Sequence, residues 1–145
     1  MANSAFAKSG SSGLPAATKT QQETGTSNAV AVTPAVQQNH ASATKGWAYY
    51  DTATGVPASY NVTSVTDNGQ NDHTTNWTVA FSSANYCASA CPKADAANTA
   101  ATSWSAQIAD SNFTASTARV FTTNSNGNTS VGEVNYTFIS AWGAQ

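Results

Sequence analysis

Leucine appears once in the 145 residues, at Leu14, and Met1 is the only methionine. Leu, Ile, Val and Phe together number 18, a share that suggests disorder when net charge is high. Charge is scarce as well: five basic and seven acidic residues give a net −2. With so few cations there is no basic patch, which argues against nucleic-acid binding by phosphate neutralisation. No apolar run reaches 18 residues, and MANSAFAKSGSSG lacks an apolar core of signal-peptide type. The expectation is a chain made in the cytosol and not inserted in a membrane.

Catalytic vocabulary is equally thin. His40 and His73 are the only imidazoles, the carboxylates are scattered, and no nucleophile elbow or phosphate loop occurs. Cys87 and Cys91, with two distant histidines, do not make a four-ligand metal site. The sequence therefore predicts no enzyme, no cofactor and no metal. The two cysteines stay free if they share one continuous strand, where they lie roughly 13 Å apart. They form a small-loop disulfide if the chain turns at Ala88-Ser89-Ala90 before Pro92.

Other residues are abundant. Ala (28), Thr (21), Ser (18) and Asn (14) make up 81 of the 145 positions, and 14 aromatics supply the large apolar side chains. This composition describes a folded but thinly cored β protein, which gains from burying surface against its own copies.

Residues 1–14 have the Ser/Gly/Ala composition of a linker or docking arm. Short helices are predicted over 15–23, with Pro15 in the first turn and Gly25 past the end, and over 34–40, after Thr33-Pro34. Strands are expected at WAYY (47–50), ASYNVTSVT (58–66), TNWTVAF (75–81), ANYCASA (84–90), SWSAQIA (103–109), ARVFTT (118–123) and within 130–142. An Ala-rich loop or helical turn is expected over 92–101. DNGQNDH (67–73) implies a hairpin with a loop longer than two residues, placing His73 in that loop. Asn126-Gly127 implies a second hairpin joining the last two strands. Alternation assigns Trp77, Val79, Phe81, Val134, Tyr136 and Phe138 to the core, with Trp104, Ala106 and Ile108 on one inward face. The expected fold is mainly β: a sandwich or jelly-roll-like knob over 45–145, behind a partly helical arm and attachment segment over 1–44.

The stretch QQETGTSNAVAVTPAVQQNHASATKGW (21–47) resembles a segment of tail fibres and related structural proteins of tailed bacteriophages. The matching residues are Gln21, Glu23, Gly25, Thr26, Val32, Thr33, Pro34, His40, Ser42, Ala43, Lys45 and Trp47. The likeness continues through ASYNVTSVTDNGQNDHTTNWTVAFSSANY (58–86), and the two runs cover about 60 residues. This sequence departs from the family pattern at Gln70-Asn71, where Thr-Gly or similar is usual, and at His73, where Tyr is usual. The resemblance implies a virion structural protein, a short fibre- or spike-like component that projects from the tail and contacts the host surface. A capsid-surface decoration protein and a glycan-binding module are the alternatives.

Phage fibres are commonly trimers, so the resemblance also implies a homotrimer that meets other virion proteins. Val30, Val32, Pro34, Val36 and Trp47 are the expected oligomerisation residues. Asn68, Gln70, Asn71, Asn126 and Asn128 are the expected receptor-facing loop positions, for a host surface glycan.

Overall fold

A computed structural model describes residues 13–34, 36–40, 42–93, 104–124 and 134–145. The chain divides into two compact units, Met1–His40 and Ala41–Gln145.

Among its described residues the first unit holds one short helix, α1 (Lys19–Thr24), and one 3₁₀ turn (Gln37–Asn39). Thr18 caps α1: its hydroxyl accepts from the Gln21 N–H at 3.2 Å, and the Gln21 side chain returns a bond to the Thr18 N–H at 2.9 Å. Gly25 ends the helix at φ 62°, a conformation in which a side chain is penalised. The predicted helix thus starts four residues later than expected, at a cap rather than at Pro15. The second predicted helix shrinks to the 3₁₀ turn, because a segment this short gains too few hydrogen bonds to continue. A parallel bridge joins Ala16 to Ala31. Most of the expected arm, residues 1–12, lies outside the described residues.

The second unit is mainly β. Its strands are β1 (Thr44–Asp51), β2 (Gly55–Tyr60), β3 (Val62–Gly69), β4 (Asp72–Trp77), β5 (Cys87–Lys93), β6 (Trp104–Thr114), β7 (Thr117–Asn124) and β8 (Tyr136–Trp142). They form two antiparallel four-stranded sheets, in the orders β2-β1-β8-β5 and β3-β4-β7-β6. Inward side chains of both sheets share one cluster: Ala48, Ile139 and Ala141 from the first, Trp77, Ala118 and Val120 from the second. The arrangement is that of a β-sandwich.

The joints correct several sequence expectations. ASYNVTSVT is two strands, one in each sheet, hinged at Asn61, which stands at φ 56°. The Asn61 side chain holds that corner. Its amide donates to the Lys45 and Val79 carbonyls (2.9 and 3.1 Å), and its oxygen accepts from the Val79 N–H at 2.7 Å. The β3–β4 loop is only Gln70-Asn71, since Gly69 already pairs with Asp72. His73 is therefore a strand residue, buried in β4 with its ring centroid 4.1 Å from that of Tyr50. β7 and β8 do not form a hairpin: β7 pairs with β4 and β6, and β8 pairs with β1 and β5. The connection between β7 and β8 crosses from sheet to sheet. The Asn126-Gly127 turn and most of the 92–101 loop lie outside the described residues.

The core is small and its centre is aromatic. Phe81 stacks on Tyr86 at 4.0 Å, Tyr86 stacks on Phe113 at 4.4 Å, and Trp77 meets Phe81 edge-on at 5.8 Å. The Trp77 Nε1–H donates to the Tyr86 hydroxyl (3.1 Å), which donates to the Thr117 carbonyl (2.7 Å). Gly46 makes room for this packing: a Cβ there would lie 2.7 Å from a Trp77 ring carbon. Trp77, Phe81 and Val134 are buried as expected, but Val79 is 56% exposed, because β4 stops at Trp77 and the chain leaves the sheet. Trp104, Ala106 and Ile108 are half-buried on the inward side of β6.

Candidate binding face

The two sheets present unlike outer faces. On the β3-β4-β7-β6 sheet, short polar side chains bond to one another. The Asn76 amide reaches the Ser64 and Thr66 hydroxyls, both at 3.1 Å, and Asn68 reaches Thr74 at 2.8 Å. Arg119 grips Asp72 with two bonds, Nε to Oδ1 being 2.8 Å. The arginine holds the Asp72 carboxyl below its ordinary 3.8. This surface satisfies its own polar groups.

The β2-β1-β8-β5 sheet presents aromatics instead. Register places four rows across its outer face: Tyr60–Trp47–Ser140–Ser89, Ala58–Tyr49–Phe138–Cys91, Gly55–Asp51–Tyr136–Lys93, and Thr44–Trp142–Cys87. Trp47, Tyr60 and Phe138 remain 39%, 39% and 42% exposed. Tyr49 stands between Phe138 (4.8 Å) and Tyr136 (5.8 Å) in one stacked column, and the Lys93 ammonium closes its end, 4.7 Å from the Tyr136 ring centre. A groove of about 270 Å³ runs beside the column, lined by Trp47, Ser89, Cys91, Phe138 and Ser140 over a floor that includes Ala48 and Ala90.

This face corrects the core assignment of β8. Tyr136 and Phe138 share a side as expected, but that side points outward, and Thr137, Ile139 and Ala141 fill the interior. Desolvation, then the neighbouring Tyr136 and Asp51, push the Tyr49 phenol up from 10.0. Hydrogen bonds from the Thr54 hydroxyl and the Ala53 N–H hold Asp51 below 3.8. Cys87 and Cys91 are free and exposed on β5, in line with the continuous-strand alternative and against the disulfide. Among the described residues no group of three or more His, Cys, Asp or Glu side chains is placed to hold a metal ion, and no helix is long and apolar enough to cross a membrane.

The residues expected from sequence scatter by comparison. Trp47 lies in the aromatic face. In the first unit Val30 and Val36 are half-buried, while Val32 and Pro34 are exposed. Asn68 and Gln70 are exposed at the β3–β4 turn. Asn71 is not a surface residue: it is 0% exposed, and its side-chain oxygen accepts from the Val134 N–H (2.9 Å) and the Thr122 hydroxyl (3.1 Å). A left-handed tip at φ 62° turns this side chain inward, which rules it out as a receptor contact. Asn126 and Asn128 lie outside the described residues.

Tyr49, Tyr60, Tyr136, Phe138 and Trp142 went unrecognised as a set, although each of the first four stands two residues from another aromatic or across from one. No family model, curated protein or solved structure matches this chain. Fold and surface together define a small antiparallel β-sandwich with one self-satisfied polar face and one exposed aromatic face.

Proposed function

We propose that this chain is a non-catalytic structural module of a tailed-phage particle: a short fibre- or spike-like knob on an N-terminal attachment segment, assembled as a homotrimer. The supporting observation is where the fibre-like run 58–86 falls in the fold. It supplies the corner at Asn61 and the core aromatics Trp77, Phe81 and Tyr86. Its two departures from the family pattern keep the local conformation. Asn71 sits at φ 62°, in the backbone region that glycine occupies readily and asparagine more readily than other residues. His73 places a ring against Tyr50, as the usual Tyr would. The fibre-like pattern is thus used here for the positions that set the fold.

Particle reconstitution with and without residues 2–14 tests this reading. The full chain is expected in purified particles as a projecting density on the tail, and the truncated chain is expected to fold but stay unincorporated. Density on the capsid surface favours the decoration alternative instead. Absence of the full chain from particles refutes the structural role.

A further inference from the structure

We infer that the aromatic face of the β2-β1-β8-β5 sheet is where copies of this chain pack against one another, around an axis running along its strands. The occupant follows from four features of the face.

The first is the posture of the rings. Tyr49, Phe138 and Tyr136 cover one another's faces, and Lys93 covers the end of the column. A sugar needs an open ring face on which to lie. A stacked column offers ring edges, which suit the interdigitating side chains of another protein surface.

The second is size. Four strands at ~4.8 Å spacing, with rows extending about 20 Å, give a footprint on the order of 400 Å². That is the scale of the largest functional patches on monomers, and counted on both partners it comes to about 800 Å², below the ~1,200 Å² of a standard interface and in the range of weak association. Assembly is therefore concentration-dependent. Among the described residues the side chains with under 2% exposure are no larger than Val120, Val134, Asn71 and Thr122, beside the nearly buried Trp77 and Phe81, so covering this face adds to a thin core.

The third is charge. The four rows carry two charged residues, Asp51 and Lys93, in one row on opposite flanks of β8. A cyclic axis parallel to the strands brings the β1 flank of each copy to the β5 flank of the next at equal height. Asp51, already bonded to Ala53 and Thr54 and attracted to the Lys93 of its own chain, then also meets the Lys93 of a neighbour, and the pairing closes around the ring. Mirror-like or staggered packings do not pair them.

The fourth is the state of the sheet edges. β2 carries Pro57 and β5 carries Pro92, and each lacks the N–H that strand addition needs. Copies therefore add through the face and not by extending the sheet. The count of three rests on the fibre reading above; the use of this face by a second copy does not.

Light scattering and thiol labelling of the full chain test the inference together. Cys87 and Cys91 lie on the face and serve as its reporters. At high micromolar concentration the wild type is expected at three times the 14.8 kDa chain mass, with both thiols reacting slowly with an aromatic disulfide reagent. A Trp47→Ser, Phe138→Ser double variant is expected at the mass of one chain, folded by circular dichroism, with fast labelling. Ser89→Arg, a small exposed position on the same face, provides a second variant that leaves the core untouched and is expected to give the same result. A monomeric wild type overturns the inference and leaves the face to a different ligand, such as a glycan. An assembly whose thiols label at the monomer's rate, or whose mass survives both variants, also overturns it. A mass of two chains overturns the count of three. None of these results depends on incorporation into particles, so failure here is distinct from failure of the virion role.

Discussion

Asn71→Ala is the substitution that most sharply separates the sequence expectation from the structure. A solvent-facing loop residue of this kind changes stability by within about 0.5 kcal/mol when truncated. The structure instead gives Asn71 a side-chain oxygen that accepts from the Val134 N–H and the Thr122 hydroxyl, at residues 1% and 0% exposed. Alanine leaves both donors buried without that acceptor, at roughly 1–3 kcal/mol each. It must also hold the left-handed backbone that asparagine tolerates, which adds about 1 kcal/mol. The expected loss is therefore roughly 3–7 kcal/mol, a large part of the ~5–15 kcal/mol that holds a domain together. For a unit of this size the melting temperature falls by more than about 10 °C. Urea unfolding followed by tryptophan fluorescence and far-UV circular dichroism measures the loss. Asn71→Gly serves as the internal control, since it relieves the backbone but not the missing acceptor, and should recover about 1 kcal/mol. An Asn71→Ala protein as stable as the wild type would refute the buried-turn argument and restore Asn71 as a surface contact.

Further outcomes follow from the core and the polar face. Gly46→Ala pushes a Cβ to 2.7 Å from Trp77 and should destabilise by about 1–3 kcal/mol in urea titration, with no effect expected if the ring can slide away. Tyr86→Phe removes the link between the Trp77 indole and the Thr117 carbonyl and should cost about 1–3 kcal/mol, while Trp77→Ala should cost about 3–5 kcal/mol. Two windows of pH dependence are expected, both on the acid side. The His73 pKa is depressed from 6.5, first by desolvation, so the neutral fold loses stability as pH falls below 6.5, and His73→Phe should flatten that slope. Asp72 is depressed from 3.8, first by its bond from Arg119, so its contribution is full above that value and is lost below it; the gap between wild type and Asp72→Asn should close there.

The fold class was legible because the cues for it are local. Alternating Thr, Val and aromatic residues, broken by Asn-Gly and Asp-Asn signals, give strands without reference to distant parts of the chain. The joints were not legible, because their causes are remote. Nothing in ASYNVTSVT marks Asn61 as a corner: its partners, the Lys45 and Val79 carbonyls, lie 16 and 18 residues away, and a positive φ leaves no trace in an Asn. The supposed β7–β8 hairpin failed for the related reason that a turn dipeptide suggests where a chain reverses, not which sheet it enters next. His73 and Asn71 were misplaced together, since a two-residue turn in place of a seven-residue loop moves both into ordered, buried positions.

The error at the last strand has a different origin, and it bears on function. Along YTFISAW both phases of the alternation are apolar enough to face a core: Tyr136 and Phe138 in one, Ile139 and Ala141 in the other. Counting hydrophobicity favours the bulkier phase. Volume decides against it, because Trp77, Phe81, Tyr86 and Phe113 already occupy the space between the sheets, and what meets them must be small: Gly46, Ala48, Ala118, Ala141. Trp47 and Tyr49 of β1 and Tyr136, Phe138 and Trp142 of β8 are turned outward, where an isolated chain gains least from them, while Tyr50 points inward onto His73. Opposite them, the second sheet covers itself with Asn, Ser and Thr bonded to one another and with a paired Arg119 and Asp72. A sequence that can make one outer face largely polar, with Phe121 covered by Arg119, and yet keeps six aromatics on the other, places them where local stability does not require them. The strand that sequence pattern inverted is the strand at the centre of the face proposed for assembly: the filled interior turns its rings outward, and the proposal supplies a second copy to cover them.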